Sequence, residues 1–533
     1  MREINDNSEI KNDITEKTGG EASYITQDAV ETKGEAVGLE DAYTPESDET
    51  PVNEGMVEDE VGFSETEGSE NDTYETILNK EGTVTDDTKN SASGDVKIDG
   101  VNPDNNNSRN NNDNKNGGIK NIENNPPEKP RDINEVRTEI PKTTTPYYEQ
   151  ARAEAKESET LANFTDHTQA HIDQVAEKSQ RAADAMEKAY NNGTLNGEFD
   201  KNQGDNNDRL KLSGNIDKCD LEAAAQSHDI GMAKGGYAVS KEPPYKVTNV
   251  DGDNTIRENH SINSALRVLE NRKAYEDLGV DADKVALEVM AHSKSGSGVK
   301  DLCSKKDWSQ AIDRMEVVIQ KYNDDHPDNK IEFNKDKFMD STIRNEDGSY
   351  KLDEKTMGEV ASSTLALRMG DANRDTEGIP ITQSGEMVHM DTSECPIDAD
   401  NPVEEVKNAK VYREDENGER TEITDPVSKK CQIGEANIPY SDISYNEETG
   451  KITNTIEVAE GSNCPKSTQA AIRDRIAEMG SAKYGAQFDC VIEIDKCNPE
   501  HRETIENSYE KFKEDMKKDY PNVSIKVGFK EDM

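Results

Sequence analysis

The stretch AAAQSHDIGMAKGGY, residues 223–237, carries the reading on which the rest of the chain turns. A run of small residues with helical character leads into an adjacent imidazole and carboxylate, His228 and Asp229, and then into Gly231, which reads as a helix terminator. Leu221, Ala225 and His228 fall on one face of that helix. The chain has only eight histidines, so a His-Asp pair at a helix end asks for an explanation.

Composition limits how much of the chain packs around it. Among 533 residues, 31% are hydrophobic, 5% are aromatic and the formal charge is −49, the balance of a chain with a large unfolded fraction. Residues 1–145 hold scattered single hydrophobes, an Asn-rich run (NPDNNNSRNNNDNKNGG) and prolines, and neither a period of 3.6 nor one of 2 persists. They read as a disordered acidic tail and linker, which leaves room for a protein partner of the tail. Residues 146–385 read as almost wholly α-helical, with polar insertions near 191–217 and 299–355. Within them Asp281 is a natural N-cap for DADKVALEVMAHSKSG, and DLCSKKDWSQAIDRMEVVIQKYNDD is helical in pattern. Residues 386–533 read as a small α+β domain, with a hairpin at AKVYREDENGERTEITD and strands at KITNTIEVAE, FDCVIEID and VSIKVGF. That domain shows no catalytic cluster, and its reading leaves open a sensor, a dimerising unit or a docking site for a partner.

The acidic balance excludes nonspecific binding to nucleic acid or to an anionic membrane surface, since both need clustered Lys and Arg. A small phosphorylated substrate is compatible if metal ions or a local group of cations bring it in. No signal-peptide pattern opens the sequence, no stretch approaches 18 apolar residues, and the seven cysteines form no CxxC pair. The expectation is a cytoplasmic protein with reduced thiols.

Chemistry-bearing residues gather in the helical block. His171, His228, His260 and His292 each lie on or at the end of an expected helix, Asp229 adjoins one of them, and Asp371 sits in LALRMGDANRD. Imidazole with carboxylate and without thiolate suits Mn, Fe, Co, Ni or Zn. Two such divalent ions a few ångströms apart would polarise a phosphoryl group, and the two oxygens of Asp229 suit a bridge between them. His167 and His171 share the four-residue spacing of a zinc-protease motif, but Thr168 follows His167 where that motif has Glu. His167 is therefore at most an accessory group. The sequence has no P-loop, no dinucleotide-binding glycine fingerprint and no nucleophile elbow.

The order His … His-Asp … His … His … Asp on successive helices resembles the HD-domain metal-dependent phosphohydrolase superfamily. HIDQVAEKS is similar to its first ligand helix, AAQSHDIGMA to its signature His-Asp helix, and LRMGDAN to its final Asp helix. IRENHSINSALRVLE and VMAHSKSGSG resemble the two histidine segments of the HD-GYP type. The resemblance covers about residues 160–380 and implies a mainly α-helical HD-domain core. It implies that His171, His228, Asp229 and Asp371 hold one ion, and that His260 and His292 hold a second with Asp229 as bridge and catalytic centre. The implied activity is hydrolysis of a phosphoester or nucleotide. Two departures bear on substrate: Met232 stands where HD-GYP members carry Lys, leaving Lys234 as the nearest candidate for substrate binding, and no Gly-Tyr-Pro follows His292. Those departures keep open a non-catalytic scaffold or sensor on the same fold, and a di-iron oxygenase as a third reading.

Overall fold

In the computed structural model the description covers residues 131–533 except 168, 197–208, 251, 295–297, 346–348, 377–379, 460–463 and 484. The expected tail over 1–130, most of the polar excursion at 197–208 and the glycine-rich turn after His292 lie outside the described residues.

The first described helix, α1 (Ile133–Lys156), starts inside the region read as linker, and it runs through Pro141 and Pro146. Two prolines inside a helix remove backbone hydrogen bonds and argue against helix. Packing overrides them: Val136, Ile140, Thr144, Tyr148, Ala151 and Ala155 recur at helical spacing and are all buried. Arg137 adds a two-pronged bond to the buried Glu222 at 3.0 and 2.9 Å. Helix α1 thus occupies the last residues of the segment read as tail, from Ile133 onward. After α1 comes a short α2 (Glu159–Ala162), capped by Ser158.

The helices that build the site follow in order: α3 (Gln169–Asn191), α4 (Lys218–Ser227), α5 (Asp253–Glu270), α6 (Arg272–Glu276), α7 (Ala282–Ala291), α8 (Lys305–Asp325) and α9 (Glu354–Ala372). Asp217, Asp281, Ser304 and Asp353 cap α4, α7, α8 and α9 through their side chains, so the expected Asp281 cap is present. Helix α9 is the central element, buried on nearly every side from Met357 to Gly370. Its small residues permit this. A Cβ on Gly370 would lie 2.1 Å from Ser179 Oγ and 2.8 Å from Val175 O, so α9 and α3 cross at a distance only glycine allows.

Two expected insertions prove partly structural. Helix α8 lies within 299–355, and its Trp308, Ile312, Met315 and Val318 are fully buried. Leu210 and Leu212, at the end of the first excursion, also enter the core. The strand β3 (Met339–Arg344) is largely exposed beyond Met339, whereas its partner β4 (Tyr350–Leu352) sends Tyr350 and Leu352 into the core. A second small hairpin, β1 (Tyr237–Val239) with β2 (Val247–Asn249), follows the His-Asp turn.

The C-terminal part contains the expected hairpin as β6 (Lys410–Glu414) and β7 (Arg420–Glu422), joined on its edge by β5 (Met387–Asp391). Beyond it lies a four-stranded sheet in the order β11 (Val523–Phe529), β10 (Phe488–Ile494), β9 (Lys451–Val458), β8 (Tyr440–Asn446). Strands β9 to β11 are parallel, and the connecting helices are α12 (Pro465–Gly480) and α13 (Arg502–Asp519). Strand β8 runs antiparallel to β9, and α11 (Pro426–Ala436) precedes it after the short α10 (Pro402–Glu405). The boundary expected at 385 does not separate two bodies. One apolar core includes Val285 and Leu365 from the helices together with Ile443, Ile456 and Phe488 from the sheet. The join is also polar: Lys178 of α3 contacts Asp375 at 3.0 Å and the Ser441 carbonyl, and Asp375 accepts from Ser441 N–H at 3.0 Å. Among the described residues no helix is long and apolar enough to cross a membrane.

Candidate metal centre

The six expected ligands converge. His171, His228, Asp229 and Asp371 form one group, and Asp229, His260 and His292 form another, each with its donor atoms within 4.8 Å of one another. Asp229 belongs to both. Its Oδ2 lies 2.9 Å from His228 Nε2 and 3.9 Å from His171 Nε2, whereas its Oδ1 lies 3.3 Å from His260 Nε2 and 3.6 Å from His292 Nε2. Asp371 Oδ1 closes the first group at 3.3 Å from His171 Nε2 and 3.5 Å from His228 Nε2.

Each ligand arrives by a local device. His228 and His292 are the residues immediately after α4 and α7, and His260 lies within α5. In all three the ring curls back so that Nδ1 meets the carbonyl three residues earlier: Ala225, Val289 and Arg257 respectively. A carbonyl oxygen only accepts, so Nδ1 carries the hydrogen and Nε2 presents a bare lone pair. His260 Nε2 and His292 Nε2 then face each other at 3.0 Å, beside a carboxylate oxygen. Acceptor against acceptor is unfavourable unless a positive charge lies between them. His228 Nε2 lies 2.9 Å from Asp229 Oδ2 and 3.5 Å from Asp371 Oδ1, a pair of carboxylates that favours positive charge at that position. Both ring nitrogens of buried His171 lack a well-formed hydrogen bond among the described residues, a cost that a bound cation removes.

Electrostatics points the same way. Helices α4, α7 and α9 all end at the site, where their C-terminal carbonyls carry partial negative charge, against one N-terminus from α3. Burial disfavours the charged form of His228, but Asp229 and then Asp371 outweigh it and raise the imidazole well above its ordinary value. Burial would raise the carboxyls of Asp229 and Asp371, yet the surrounding imidazoles hold both well below the usual carboxylate range. Burial pushes His260 down to about 4. A buried pocket that combines two carboxylates with imidazole nitrogens has the donor chemistry of a site for divalent transition ions, and the residues present fit that group.

Gly231 does something other than end a helix. A Cβ there would sit 2.1 Å from the His260 carbonyl and 2.4 Å from Ser264 N, so its absence lets the His-Asp turn press against α5 beside His260. The Gly231 N–H donates to Ser264 Oγ at 2.8 Å, which fixes the contact.

His167 also reaches the site, with Nε2 3.9 Å from Asp229 Oδ2. Gln383 Oε1 accepts from both its backbone N–H and its Nδ1, each at 3.0 Å, so Nε2 is again the bare nitrogen. Burial takes its pKa down to about 3. Gln383 is a contributor that no spacing in the sequence signals, because it approaches from more than 200 residues away. Lys234 is exposed and is placed by its backbone N–H, which donates to Glu154 Oε2 at 2.6 Å; the contacts of the histidine–aspartate group do not involve it. Met232 is buried in an apolar cluster with Ala151 and Ala233, against which Phe164 packs. Arg257 lies with its guanidinium 5.0 Å from the Phe164 ring, and Arg374 reaches the Asp166 carbonyl at 3.4 Å. Both are near enough to bear electrostatically on His167.

No protein-family model matches the chain, and no match is found among curated proteins or solved structures.

Proposed function

We propose that the chain is a metal-dependent phosphohydrolase of the HD type, acting on a small phosphoester or nucleotide through a two-ion centre. One observation carries the reading: a single carboxylate, Asp229, turns one oxygen to His171 and His228 and the other to His260 and His292. His171, His228, Asp229 and Asp371 would hold the first ion, and Asp229, His260 and His292 the second. Divalent ions in these places would polarise a phosphoryl oxygen and lower the pKa of water, making a nucleophile at neutral pH.

The chain's own residues supply the rest. Side-chain exposure is greatest at Asp371 (35%), His167 (15%) and His260 (13%), so substrate approaches between these three. Arg257 and Arg374 put positive charge on that side, complementary to a phosphate in an otherwise acidic protein. His167, set as the Nδ1–H tautomer by Gln383 and kept neutral by burial, accepts a hydrogen bond at Nε2 from water or a substrate hydroxyl and orients it.

A specific feature favours a second reading, a non-catalytic metal-binding or nucleotide-sensing scaffold: Met232 packs in an apolar cluster where a phosphate-binding lysine is expected. One experiment separates the two. Full-length protein loaded with Mn, Co or Fe is assayed against phosphodiesters, nucleotides and phosphomonoesters, beside Asp229→Ala. Turnover that disappears in the variant supports the hydrolase. Bound ions with no turnover on any phosphoester contradict it and favour the scaffold.

A further inference from the structure

Arg368 lies one turn before Asp371 on α9 and is fully buried. Its guanidinium does not face solvent or substrate but is spread across backbone carbonyls. Nε and Nη2 donate to the Ala291 carbonyl at 3.0 and 2.5 Å, and Nη2 donates further to Ser293 O at 3.3 Å and to Val299 O. Ala291 is the last residue of α7, and the bonded carbonyls flank His292 on both sides. A helix end leaves its last carbonyls without partners inside the helix, so whatever satisfies them sets how the chain leaves. Here one side chain does so. Arg314 of α8 donates to Gly298 O at 2.9 Å.

His292 depends on this arrangement. Its Nδ1 bonds to a carbonyl of its own helix, so the direction of Nε2 follows the backbone at 291–293 rather than any independent side-chain support. A buried guanidinium also needs a counter-charge. Glu478 of α12 supplies it, with Oε2 3.8 Å from Arg368 Nε, and its Oε1 holds Lys294 at 2.9 Å. The carboxylate thus lies beside the arginine and pairs directly with the residue two beyond His292.

We propose that Arg368 is the positioning residue of His292 and that Glu478 extends this control to α12, so that the C-terminal α+β part sets the affinity of the second ion. This rests on the two-ion reading and deepens it: the part of the chain without a catalytic cluster acts as a brace for one half of the centre. Arg368 and Asp371 share a helix face, which makes α9 serve both halves, by ligation in one and by backbone support in the other.

The test is cobalt titration of metal-stripped full-length protein, followed by visible absorbance and chelator competition, for wild type, Arg368→Lys and Glu478→Gln. Both variants keep charge or shape, and circular dichroism with a melting curve verifies that they fold. Wild type takes up two ions. In each variant one ion keeps its affinity and the other weakens about 10- to 100-fold, the usual consequence of losing a residue that supports a ligand. In an Asp371→Asn background, where only the His260–His292 ion remains tight, adding Glu478→Gln removes the residual uptake. Variants that bind two ions as tightly as wild type overturn the proposal, as does parallel weakening of both ions with loss of melting temperature. Wild type that takes up no cobalt refutes the two-ion reading itself, a result visible before any variant is made.

Discussion

The two halves of the centre are built differently. The half made by His171, His228 and Asp371 gathers ligands from three helices, and His171 reaches it with neither ring nitrogen bonded to protein. The half made by His260 and His292 uses rings that are each fixed through Nδ1 to their own helix, with the two bare nitrogens 3.0 Å apart. One half leaves a ligand to be oriented by what it binds, whereas the other is set in advance by backbone. Each is also braced by the C-terminal part through an arginine near the end of α9: Arg368 to Glu478 beside His292, and Arg374 to Glu435 beyond Asp371.

The largest effect tests what the halves share. Asp229→Asn removes charge from both at once, and steady-state assays are expected to show a loss in kcat on the order of 10³-fold or more, the scale of losing a group at the reacting atoms. Retained turnover would mean that the halves do not act through one bridge. Next, Asp371→Asn and His260→Ala each disable one half. Adding ion at about 100 times its Kd stabilises a folded protein by about 2.7 kcal/mol per site, so metal-induced thermal stabilisation should fall to about half in either variant. Equal and complete loss in both would show a single site.

A pH measurement probes the brace on the Asp371 side. Burial would raise the Glu435 carboxyl, but Arg475 and Arg374 outweigh it and hold it down to about 2. An unfolded Glu titrates near 4.3, so the pair's contribution is fully present above that value and is lost as pH falls toward 2. The shift corresponds to about 3 kcal/mol, and Glu435→Gln should lower stability by that order at pH 7 while flattening the acid limb between about pH 4.3 and 2. A denaturant series over that range checks it. The smallest effect concerns the turn itself. Gly231→Ala forces a Cβ against the His260 carbonyl and should cost about 1–3 kcal/mol, with weaker uptake of the His260–His292 ion before the other is affected. A wild-type melting curve would show that the turn can move away from α5.

What the sequence disclosed follows what is local. The six converging residues were legible because ligands of the right chemistry recur at helix ends in a chain with few histidines. The Asp281 cap and the C-terminal strands β9 to β11 are legible from capping, turn and alternation signals. Helix α1 was not, because its two prolines speak against helix and only its buried stripe against the rest of the fold overrides them. Gln383, Arg368 and Glu478 were not, since each acts on a partner tens to hundreds of residues away and has no spacing rule. The role of Gly231 was misread for a related reason: as a terminator it needed only its own helix, but its missing Cβ is required by α5. Helix α8 is legible as a helix, but its amphipathic pattern does not reveal that Trp308 lies in the main core rather than in an insertion.

The central claim is that one carboxylate joins two ion sites. The most direct measurement is the number of divalent transition ions bound per full-length chain, counted by elemental analysis after equilibration and desalting, in wild type and Asp229→Asn. Two ions per wild-type chain and none retained in the variant is the predicted result. A wild-type chain that carries no ion, or a variant that still carries two, would contradict it.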